Sequence, residues 1–84
     1  MNHYASPEFW VSYRALPAEA QGLADKSFAL LKTDSRHPSL RLKRVGNYYS
    51  VRVGLYYRAL GVAVNDGVSW FWIGTHAAYD KIVD

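Results

Sequence analysis

At 84 residues, half of them hydrophobic and 15% aromatic, the chain can build one hydrophobic core and has no material for an independent second unit, so a single domain spanning 1–84 is expected. It contains no cysteine, which excludes disulfides and thiolate metal sites. It also lacks the order of a signal peptide and any apolar run near the roughly 20 residues of a membrane-spanning helix, so a cytoplasmic protein is expected. The net charge of +3 is unevenly spread: residues 35–65 hold Arg36, Arg41, Lys43, Arg44, Arg52 and Arg58 without one Asp or Glu, the pattern of a surface that attracts a polyanion, RNA above all.

Residues 1–5 are few and polar, and no strand is assigned to them. Ser6-Pro7-Glu8 opens a short helix, with Ser as N-cap, Pro in the first turn and an acid at the positive end of the dipole. Phe9, Trp10, Tyr13 and Leu16 recur at helical spacing up to Pro17, which ends that helix and starts the next. Over 17–33 a stripe of Ala20, Leu23, Ala24, Phe28 and Leu31 predicts the second arm of a helix hairpin. Residues 34–39 break the helical pattern, with His37 before Pro38 pushed toward extended backbone.

The period then becomes two. Leu40 and Leu42 alternate with Arg41 and Lys43 in a first predicted strand, Gly46-Asn47 makes a turn, and Tyr49, Val51 and Val53 alternate with Ser50 and Arg52 in a second. A third strand runs over 56–64, Asn65-Asp66-Gly67 forms a hairpin turn, and 68–75 reads as an interior strand because it is apolar on both faces. Trp70 and Trp72 are assigned to packing. Residues 76–83 suit a short helical turn. The expected fold is α+β: an N-terminal helix hairpin on a twisted antiparallel sheet of about four strands, with Arg52 and Arg58 meeting across neighbouring strands on the face away from the hairpin. Two unpaired arginines side by side call for an anion.

The run 47–80, NYYSVRVGLYYRALGVAVNDGVSWFWIGTHAAYD, and the text RHPSLRLKRVGNYYSVRVG before and within it, resemble the RelE/ParE toxin superfamily of bacterial type II toxin–antitoxin systems, over roughly residues 6–83. The resemblance implies a small toxin silenced by a cognate antitoxin protein. RelE-like members cut mRNA on the ribosome and ParE-like members poison DNA gyrase, so the site residues must separate the two. Gly74-Thr75-His76 looks like the Gly-x-His ending of YafQ-type nucleases, which points to an mRNA endoribonuclease working without a metal or other cofactor.

On that reading a ribose 2′-hydroxyl attacks the adjacent phosphate. Arg52 and Arg58 clamp the phosphate and His76, an imidazole suited to proton transfer near neutrality, serves the leaving oxygen. Arg41, Lys43, Arg44, Ser50 and Tyr79 are expected to contact RNA, the cations through its backbone and Tyr79 by stacking. Ser50 stands where many relatives carry lysine, which favours the alternatives: a ParE-like gyrase inhibitor, or a toxin-fold protein that only binds a partner.

Overall fold

The computed structural model describes residues 1–83. Strand β1 (Asn2–Ala5) is followed by helices α1 (Pro7–Arg14) and α2 (Ala18–Thr33), a 3₁₀ turn (Pro38–Leu40), strands β2 (Lys43–Val45), β3 (Tyr48–Val53), β4 (Tyr57–Val64) and β5 (Gly67–Thr75), and helix α3 (His76–Val83). The sheet has five strands in the order β1-β5-β4-β3-β2, antiparallel throughout except that β1 runs parallel to β5. The α+β class, the hairpin and the antiparallel meander agree with the sequence reading. Among the described residues no helix is long and apolar enough to cross a membrane.

The hairpin lies on one face of the sheet. Phe9, Ala24 and Leu31 from the helices pack on Val51, Val53, Ala59, Val68, Trp70 and Ile73, the residues that the two-residue period turns to that side. Between Leu60 and Gly61 the β4–β5 register slips, so that Leu60 pairs with Trp72 and Gly61 with Trp70. Phe71 is the extra residue of this bulge, and that is how Trp70 and Ile73, three apart, both reach the hairpin-side core. Ser12 ties α1 to the sheet: its hydroxyl donates to the Phe9 carbonyl at 3.0 Å and accepts from the Ile73 N–H at 3.1 Å.

Two elements depart from expectation. Residues 2–5 form a strand after all, because the Trp70 indole needs a partner in the core: its Nε1–H donates to His3 Nδ1 at 3.1 Å, and His3 is buried. The first predicted strand begins later than its alternation suggests. Pro38 starts the 3₁₀ turn, Leu40 is buried from within that turn, and Arg41 takes a left-handed conformation (φ 47°, ψ 47°), so extended pairing starts only at Lys43.

Candidate nucleic-acid interface

Register decides which cations share a surface. Arg52 lies directly opposite Arg58, and Arg58 opposite Gly74, so the row crosses three strands on the face turned away from the hairpin. Residues directly opposite stand about 5 Å apart at Cβ. Like charges so placed repel, and among the described residues no Lys or Arg is within ion-pairing distance of a carboxylate. The two guanidiniums are held by carbonyls instead: Arg52 Nε donates to Gly54 at 3.1 Å and Arg58 Nη1 to Tyr57 at 3.3 Å. Arg52 bends along its strand into a cleft lined by Ser27, Ser39, Gly54 and Leu55.

His76 stands at the same end of the sheet. Its backbone N–H donates to the Tyr56 carbonyl at 2.8 Å, fixing the start of α3 beside the start of β4, and the Thr75 hydroxyl accepts from the Ala78 N–H at 3.2 Å as a cap. The His76 side chain is half exposed, with Nε2 3.5 Å from the Asp80 carboxylate one turn on. Asp80 was not singled out in the sequence; the i, i+4 spacing of the two residues was the available signal. Leu55 and Tyr56 stand exposed at the adjoining turn, Tyr56 at 72%.

Two residues expected to touch RNA are not on the surface. Ser50 shares the face of Arg52 and lies opposite Lys43, but it is only 1% exposed between that residue and Leu60. Tyr79 is 5% exposed, because α3 packs onto β4 and β5 and turns this ring inward, where it stacks on His76 with centroids 5.9 Å apart. As placed, it presents no open face to a base.

The remaining cations do not ring the arginine pair. Lys43 faces the same way as Ser50, whereas Arg44, one residue on, points to the opposite face and sits over the Tyr49 ring at 5.1 Å. With Arg41 displaced by its left-handed backbone, Arg36, Arg41, Lys43 and Arg44 line a separate groove of about 480 Å³, together with His37 and Tyr49. Among the described residues no group of three or more His, Asp or Glu converges on a common point.

Comparison with known proteins follows the same geometry. By sequence, no curated protein matches. By structure, the chain is similar to the RelB–RelE antitoxin–toxin complex of Methanococcus jannaschii (TM-score 0.71, 15% identity, covering 96% of this chain and 99% of that one). It is also similar to the isolated RelE toxin of E. coli (TM-score 0.63, 11% identity, covering 95% and 93%). The family model of the ParE-like toxin domain matches residues 24–81, which hold every cation discussed above together with His76. The chain therefore belongs to the ParE-like toxin domain family, within the RelE/ParE toxin superfamily.

Proposed function

We propose that this protein is the toxin of a type II toxin–antitoxin pair, acting in the cytoplasm as an mRNA endoribonuclease on the ribosome and silenced by a cognate antitoxin. The observation that carries this reading is the row Arg52–Arg58–Gly74, with His76 just beyond it and, among the described residues, no carboxylate paired to either arginine. In the reaction, the ribose 2′-hydroxyl gives up its proton to solvent water as its oxygen attacks the adjacent phosphorus, the new P–O bond forms, and the bond to the 5′-oxygen breaks. The products carry a 2′,3′-cyclic phosphate and a 5′-hydroxyl. Arg58 and Arg52 stabilise the charge that develops on the phosphoryl oxygens, and His76 protonates the departing 5′-oxygen, with Asp80 steadying the imidazole.

Induction of the protein in growing cells, followed by mapping of mRNA ends, tests the proposal. Translation should halt with cut messages, and His76→Ala should slow cutting by about 100-fold or more, with the circular dichroism spectrum unchanged. Arg58→Ala should do so by about 100-fold. The second reading, a ParE-like gyrase inhibitor, is favoured by the buried, uncharged Ser50, which adds no cation beside Arg52 and Arg58. Intact messages together with arrested replication and a DNA-damage response would establish that reading and remove the first.

A further inference from the structure

Two clefts without a carboxylate in their linings meet on the loop between α2 and β2. His37 and Pro38 line the groove of Arg36, Arg41, Lys43 and Arg44, while Ser39 lines the cleft that holds Arg52. Their junction is fixed by hydrogen bonds: His37 Nδ1 lies 2.8 Å from the Ser39 hydroxyl and accepts from the Ser39 N–H at 3.2 Å. We propose that the two clefts form one track for single-stranded RNA, entering along Arg36, Arg41 and Arg44, passing Ser39, and delivering the strand by way of Arg52 to Arg58 and His76. This inference rests on the ribonuclease reading for its destination; its anchoring residues are distinct from the reacting groups.

Charge and donor chemistry support the track. A polyanion neutralises a line of cations that have no carboxylate partner among the described residues, whereas the groove on the hairpin side, lined by Phe9, Trp10, Tyr13 and Phe28, holds both Asp25 and Lys32. At Ser39 the hydrogen-bond inventory is selective. The Ser39 N–H and hydroxyl both lie against His37 Nδ1, at 3.2 and 2.8 Å, and in the arrangement where the hydroxyl donates to that nitrogen its oxygen stays an acceptor, which suits a ribose 2′-hydroxyl better than a phosphate oxygen. Arg52, with only Nε engaged by Gly54, keeps its other N–H groups for the next phosphate. Exposed Leu55 and Tyr56 then offer a surface on which a base can stack as the strand turns into the site.

The test measures binding apart from cutting: fluorescence anisotropy of His76→Ala protein with a labelled single-stranded RNA of about ten nucleotides, checked intact by gel, and with DNA of the same sequence. Arg36→Ala with Arg41→Ala should weaken RNA binding about tenfold or more and flatten the slope of log affinity against log salt by about 1.4, two phosphate contacts at about 0.7 each. Arg14→Ala with Lys26→Ala removes equal charge from the hairpin and should leave the slope within about 0.3 of the starting protein. Ser39→Ala should reduce the preference for RNA over DNA. The track is overturned if both double variants weaken binding equally, if neither does, or if a polyglutamate peptide competes as well as the oligonucleotide, which would make this an acidic-peptide surface. Binding as expected in a protein that never cuts RNA would retire the nuclease reading and leave the track standing; cutting with binding unchanged in the Arg36/Arg41 variant would do the reverse.

Discussion

The two edges of the sheet solve opposite problems. At the β1 edge nearly every polar group has an internal partner: Trp70 bonds His3, the Asp66 carboxylate accepts from Asn2 Nδ2 at 3.0 Å and from the Tyr4 hydroxyl at 2.7 Å, and the Asn2 N–H meets the Asp66 carbonyl at 2.9 Å. At the β2 edge, among the described residues, Arg36, Arg41 and Lys43 have no carboxylate partner, and Arg44 sits over the face of Tyr49. A polar group bonded within the chain stabilises the fold, and a line of cations left unbonded is free to act on something else.

If the β1 edge is structural, damage there should appear as lost stability. Trp70 is almost fully buried and bonds the edge strand as well as filling the core, so Trp70→Ala should cost about 3–5 kcal/mol in urea unfolding. Gly67→Ala should come next. A methyl on Gly67 would overlap the backbone of Asn2, and neither main chain can move without losing the parallel ladder, so a cost of about 1–3 kcal/mol is expected. Hydrogen exchange should show the amides of Asn2–Ala5 losing protection before those of β3 and β4. Equal loss across all strands would mean that β1 is not a separable edge.

The same contrast explains what could be read from the sequence. The hairpin and the three long strands were legible because their apolar spacing matches one face of a helix or a sheet, and the Arg52–Arg58 pairing followed from two-residue alternation around a short turn. β1 was illegible because its inward residue is a histidine, whose burial makes sense only once Trp70, 67 residues away, supplies a partner. The course of residues 38–41 was misread because leucine alternation carries no sign of a left-handed Arg41. That single dihedral moves Arg41 and the residues after it, and with them the division of the cations between two faces. Ser50 and Tyr79 were assigned to the correct face and the correct helix, but Ser50 is buried between its cross-strand neighbours Lys43 and Leu60, and Tyr79 by the packing of α3 on β4 and β5, which no local pattern encodes.

Acid should loosen the β1 edge first. Burial holds the His3 pKa below its ordinary value, helped by the charge of the amino terminus, and Lys32 lies along the same cleft. Nδ1 is taken as an acceptor and Nε2 is buried without a partner. The folded state therefore binds fewer protons at this residue than the unfolded state, so stability is full above the unfolded pKa and falls as pH drops through it, from about pH 7 downward. The urea midpoint should decline more steeply over this range in the native protein than in His3→Gln, whose side-chain carbonyl can still accept from Trp70 but does not titrate. Parallel curves would show that His3 does not link this edge to pH.

The smallest expected effect on stability has the opposite sign and lies on the other edge. Arg41 holds a left-handed backbone that a residue with a Cβ adopts at a cost of about 1–2 kcal/mol, yet its side chain pairs with no carboxylate among the described residues and lines the cationic groove. Replacement by glycine removes that cost and returns part of it as added freedom of the unfolded chain, so Arg41→Gly should stabilise the protein by about 0.5–1 kcal/mol. The same substitution should weaken binding of single-stranded RNA and flatten its salt dependence by about 0.7. Gain of stability with loss of binding is the signature of a residue kept for a ligand at the expense of the fold. Loss of both would place Arg41 with the β1 edge as a structural residue, and the distinction between the two edges would fail at its sharpest point.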